Sequence, residues 1–160
     1  MGTVILQAVG LLLAGILAGE EFIVRYGVQP ALSGLDDRAH ILARQALVRR
    51  LRIVVPAIMG PTVLVGIAVL VFGGGGGGSS GFAFRLAGVA ALVAFVLFSF
   101  LGTVPINIRV NDWNVDSPPA DWKAVVARWQ FIDVFRSSAA ILAFAFFLVA
   151  VALQLAILRP

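Results

Sequence analysis

Four groups of residues in this chain have the types and spacing to do chemistry. Glu21 and Arg25 stand four apart, in the favourable order for an ion pair on one helix face. Trp122, Trp129, Asp133 and Arg136 recur at spacings of seven, four and three, so they share a second helix face, and Asp133 and Arg136 can pair. Asn107 and Asn111 are one turn apart, just after Pro105. That proline lacks an N–H, leaves a backbone carbonyl free and can bend its helix. His40 is the one histidine, and its ordinary pKa suits a general base near neutrality. Each group also has a plainer reading. The Glu21–Arg25 pair can sit at the headgroup level and Trp129 can belong to an interfacial belt. The asparagines can cap or bridge helices, and His40 can be solvated.

The elements that carry these residues follow from composition. Of 160 residues, 61% are hydrophobic and only 12% are charged, and the mean hydropathy is +1.03. A soluble domain is nearer half apolar and a quarter charged, and a chain this short has too little interior to hide so much apolar surface from water. The missing solvent is lipid. A soluble enzyme, a disordered regulator and a nucleic-acid-binding domain are excluded, and no nucleic-acid partner is expected. The net charge of +4 comes from few charges rather than a basic groove. No cysteine is present, which removes thiolate nucleophiles and thiolate metal sites. With a single histidine and carboxylates interleaved with arginines, no metal is expected. No phosphate loop, serine elbow or dinucleotide fingerprint occurs.

Four stretches are long and apolar enough to cross a bilayer: about 3–27, 53–72, 82–104 and 137–158. They predict an all-α integral membrane four-helix bundle, one domain over 1–160. The N-terminal run lacks a basic leader and reads as a retained first helix rather than a signal peptide. Gly15 and Gly19 form a small-xxx-small pair suited to close helix approach. Residues 73–81, Gly- and Ser-rich, predict a featureless turn. The other two connections, 20–52 and 105–136, are long and polar. In an antiparallel bundle they lie on one side, with all eight acidic residues, His40 and ten of the twelve basic residues. The positive-inside rule puts that side in the cytoplasm of a plasma-membrane protein, with both termini outside. Ser33 with Asp36 predicts a helix start, and Pro56 and Pro61 predict bends in the helix that follows. The Ser117-Pro118-Pro119 stretch ends one helix, and the next begins with Asp121 in its first turn. From there to the last span is about 60 Å of helix, twice the bilayer core, so a polar cap should stand beyond the lipid.

The segment Thr103-Val104-Pro105-Ile106-Asn107, then Trp113, Trp122, Arg128-Trp129 and Asp133-Val134-Phe135-Arg136-Ser137, resembles the anthrone oxygenase-like family of small four-helix membrane proteins. The Val28-Gln29-Pro30-Ala31-Leu32 segment is similar too. The resemblance implies oxidation of a flat aromatic substrate by dioxygen with no metal or flavin cofactor. It implies Asn107 and Arg136 holding an oxyanion and Trp129 stacking on the rings. Geometry alone adds Glu21 or His40 as proton acceptor, and Arg25, Asn111 and Asp133 as substrate-binding neighbours. The lipid bilayer and an apolar or aromatic small molecule are the partners expected. A small transporter, or a non-catalytic subunit of a homo-oligomer or larger membrane complex, remains open from the sequence.

Overall fold

Each long apolar stretch forms a helix because the bilayer offers backbone groups no partners. A computed structural model of the chain describes residues 2–73 and 78–157. Its elements are α1 (Gly2–Ile23), a π-helical turn π1 (Val24–Val28), α2 (Gln29–Ser33), α3 (Asp37–Phe72), α4 (Gly78–Leu97), a second π turn π2 (Phe98–Thr103), α5 (Val104–Asn111) and α6 (Trp122–Ile157). The described residues contain no strand. Four continuous helical rods, 2–33, 37–72, 80–111 and 122–156, are long and apolar enough to cross a membrane. The protein is an integral membrane four-helix bundle. Around it, α1 packs on α3 and α6, and α4 packs on the same two helices, so the rods close into a ring.

At 36 residues each, α3 and α6 are about 54 Å long against a bilayer core of about 30 Å. They therefore carry two cores. The membrane core centres on Leu17, Leu92, Phe95, Ala143 and Phe147. The cap has a separate cluster of Ile41, Val110, Trp113, Trp122, Val125 and Val126. Gln45 ties the cap together, donating to the Val110 and Trp113 carbonyls at 3.0 Å each.

Several local expectations are corrected. Asp36 alone caps α3, accepting from Ala39 N–H at 2.9 Å, while Ser33 Oγ donates back to the Gln29 carbonyl and belongs to α2. Gly78 to Gly81, expected in the turn, already belong to α4; the rest of the expected turn beyond Gly73 lies outside the described residues. Asp121 stands just before α6 rather than in its first turn, and its carboxylate takes both contacts from Arg109 Nη2, at 2.8 and 3.0 Å. Of the small-residue pair, a Cβ on Gly15 would meet only the Phe144 ring, and one on Gly19 would meet nothing within 4 Å beyond its own helix backbone among the described residues. Close approach is made elsewhere: Gly66 and Gly88 pack against Phe147, and Gly102 against Ile132.

Candidate functional site

The site begins with two prolines. Pro30 and Pro105 cannot donate to the carbonyl one turn back. Just before each, the helix widens into a π turn, closed by Gln29 N–H to the Val24 carbonyl and by Val104 N–H to the Ser99 carbonyl. The disturbance expected at Pro105 thus falls on residues 98–103, ahead of it. Within π2, Ser99 Oγ donates to the Phe95 carbonyl at 2.7 Å and Thr103 Oγ1 to the Ser99 carbonyl at 3.2 Å. Single wide turns of this kind concentrate at functional sites. Here both turns border the same cavity, π1 through Val24 and Val28 and π2 through Ser99, Phe100 and Thr103.

That cavity has a volume of about 310 Å³. Pockets for drug-sized ligands run about 300–1,000 Å³. Its lining follows α3 from Arg44 to Met59, and apolar wall comes from Val48, Val55 and Met59. Polar groups converge at the cap end: Asn107, Asn111, Trp129 and Arg136, all anticipated, with Gln29 and Arg44. Asn111 Oδ1 and Trp129 Nε1 are buried with no protein partner among the described residues.

Arg136 is the hub of the ionic network. Its Nη2 lies 2.8 Å from Glu21 Oε2 and its Nε donates to Asp133 Oδ1 at 3.1 Å. Its guanidinium sits 5.4 Å from the Phe95 ring centroid. Both carboxylate side chains are essentially inaccessible to solvent, at 0% for Glu21 and 2% for Asp133. The Glu20 carboxyl beside them is also buried and without a hydrogen-bond partner among the described residues. A lone arginine at this depth would cost about 3 kcal/mol; paired with two acids, it fixes α1 to α6.

The expected Glu21–Arg25 pair does not form. The wide turn π1 begins at Val24 and carries Arg25 out of the register that would place it above Glu21. Arg25 Nη1 instead donates at 3.1 Å each to the Val134 carbonyl, Ser137 Oγ and Ser138 Oγ. Arg25 and Asp133 line a neighbouring hollow, not the main cavity. His40 is buried rather than solvated. Its ring meets Trp122 edge-on at 5.3 Å, and its Nε2 accepts from Arg44 Nε at 3.3 Å. Neither Glu21 nor His40 lines the cavity; each stands behind a lining arginine. Trp129 is buried under the Arg44 guanidinium, 5.2 Å from ring centroid to Cζ, and is no belt residue.

Arg44 and Gln29 were not among the sequence candidates. Arg44 carried a signal: it lies on the face of α3 that buries Ile41, Val48 and Val55, where an arginine is out of place. Gln29 carried none, because its position depends on the path of π1. Among the described residues, no three His, Asp or Glu side chains group as metal ligands.

No curated protein and no solved structure matches the chain. The family model for anthrone oxygenase matches residues 46–146. The matched stretch holds Asn107, Asn111, Trp129, Asp133 and Arg136, while Glu21, Arg25, His40 and Arg44 precede it. With well over half of its length matched, and Asn107, Asn111, Trp129 and Arg136 of the cavity inside that match, the chain belongs to the anthrone oxygenase family.

Proposed function

We propose that the protein is a membrane oxygenase acting on a flat apolar aromatic molecule, drawn from the bilayer into the cavity at the cap end. The observation that carries this reading is the convergence of Asn107, Trp129 and Arg136 on one cavity with apolar walls. An anthrone-type CH₂, across the central ring from a ring carbonyl and conjugated to it through the flanking arenes, loses a proton to give an oxyanion, and that anion reduces dioxygen. One dioxygen is consumed per CH₂ converted to C=O; one of its oxygen atoms enters the product and the other leaves as water. The protein's part is to bind the rings against Trp129 and to hold the oxyanion on Arg136 and Asn107. It also keeps the reacting carbon dry. Glu21 is the better of the two proton acceptors. Its Oε1 has no hydrogen-bond partner among the described residues, whereas the accepting nitrogen of His40 is taken by Arg44. Because Glu21 is held by Arg136 rather than open to a transported cation, an enzyme site is preferred over an exporter.

The same reading puts the cap in the cytoplasm and both termini outside the plasma membrane, supported by the ten basic residues on the capped side.

The test is oxygen uptake and quinone absorbance with anthrone as probe, for purified protein in vesicles. Wild type should exceed empty vesicles, and Asn107→Ala and Arg136→Lys should each lose about tenfold or more in rate. A wild-type rate equal to that of empty vesicles rejects the proposal.

A further inference from the structure

Three arginines line the cavity; Arg52 is exposed, and the two buried ones, Arg44 and Arg136, are not equivalent. Arg136 is neutralised by two carboxylates. Arg44 is only 3% exposed, yet among the described residues no carboxylate lies within 4 Å of it. Its contacts are neutral: Nε to His40 Nε2 at 3.3 Å, Nη2 to Gln29 Oε1 at 2.8 Å, and the Trp129 ring. Asp133 acts on it only from a distance and is already bonded to Arg136. The Trp129 face recovers part of the desolvation of a guanidinium but not all of it. Beside it, Trp129 Nε1 is a second buried donor with no acceptor among the described residues. An arginine fixed by two neutral side chains, next to an idle indole N–H on a cavity wall, lacks one thing: an anion.

We infer that Arg44 is the cavity's anion receptor: the ligand is a compact flat molecule that carries, apart from the oxyanion proposed to form at Arg136, an ionised oxygen bound at the Arg44–Trp129 wall. This rests on the cavity being a small-molecule pocket, as proposed above, but it does not depend on turnover. That ionised oxygen completes the charge of Arg44 and accepts from Trp129 Nε1, while the apolar body lies along Val48, Val55 and Met59. A phospholipid headgroup offers the same oxyanion on a body far larger than 310 Å³.

The experiment is equilibrium binding, read by probe fluorescence anisotropy, with empty vesicles subtracted. The probes are anthracene-2-carboxylate and its neutral counterpart 2-hydroxymethylanthracene. In phosphatidylcholine vesicles, wild type should prefer the anion by about tenfold or more, the effect of one buried charge-assisted contact. Arg44→Gln should abolish the preference and Arg44→Lys should keep most of it. Equal binding of the two probes by wild type overturns the inference. So does a preference that survives Arg44→Gln, which would assign the anion to Arg136 or to Arg52, an exposed residue on the same lining. If Arg44→Gln fails to fold, Trp129→Phe decides: it leaves an aromatic ring and removes the N–H, and an unchanged preference overturns the inference. Displacement of the carboxylate probe by phosphatidylglycerol added to the vesicles assigns the site to lipid and also overturns it. An Arg44-dependent preference without oxygen uptake upholds this inference and rejects the oxygenase; oxygen uptake without a preference does the reverse.

Discussion

Replacing Arg136 by methionine tests the network that joins α1 to α6. The side chain is 8% exposed, and its loss orphans Glu21 at 0% and Asp133 at 2%. Breaking a buried pair by removing one partner costs about 3–5 kcal/mol, because an uncompensated charge stays behind. Glu21→Gln is milder, at about 1–3 kcal/mol, since Arg136 keeps Asp133. In the Glu21→Gln/Arg136→Met double variant only Asp133 is orphaned, so the combined loss should fall short of the sum by about 1–3 kcal/mol. The triple variant Glu21→Leu/Asp133→Leu/Arg136→Met removes all three charges and should recover near-wild-type stability, as apolar replacement of buried ionic triads can. It should nevertheless have no oxygenase activity, which separates folding from chemistry. The assay is reversible unfolding in detergent followed by tryptophan fluorescence. An Arg136→Met cost below about 1 kcal/mol, or single-variant costs that add within about 0.5 kcal/mol, would refute the reasoning.

Other substitutions probe the rest of the molecule. A Cβ on Gly102 would stand 2.6 Å from Ile132 Cγ2, so Gly102→Ala should destabilise by about 1–3 kcal/mol. A Cβ on Gly19 meets nothing, so Gly19→Ala should stabilise by about 0.5–1 kcal/mol in the same unfolding assay. Val55→Phe fills part of the cavity, and anthrone affinity in vesicles should fall about tenfold with stability changed by less than about 1.5 kcal/mol. Asp116→Asn breaks the Arg38 pair, whose side chains are 65% and 75% exposed, and should shift stability by less than about 1 kcal/mol, less still at high salt.

Much of the candidate site was legible because its residues repeat locally. Asp133 and Arg136 pair at i,i+3, as their spacing implies, and Trp129 shares their face. Asn107 and Asn111 stand together after Pro105 because both lie on one short helix. The Glu21–Arg25 pairing failed for a reason outside the spacing rule. That rule assumes regular α-helix, and the π turn at 24–28 breaks the register just where Arg25 falls. For His40, a candidate base whose plainer reading is a solvated residue, the polar residues around it give no sign that α6 brings Trp122 against its ring.

Hydropathy and charge placement along the chain determined the four spans, the single charged end and the helical character of the connections. These are properties of what each segment must hide from water or from lipid, and no partner is needed to express them. The rotation and depth of each rod depend on how the side chains of its neighbours interlock. Only the assembled bundle therefore decided that Glu21 meets Arg136 across more than a hundred residues of chain, that Arg25 turns to two serines, and that Arg44 is left on a cavity wall without an acid beside it.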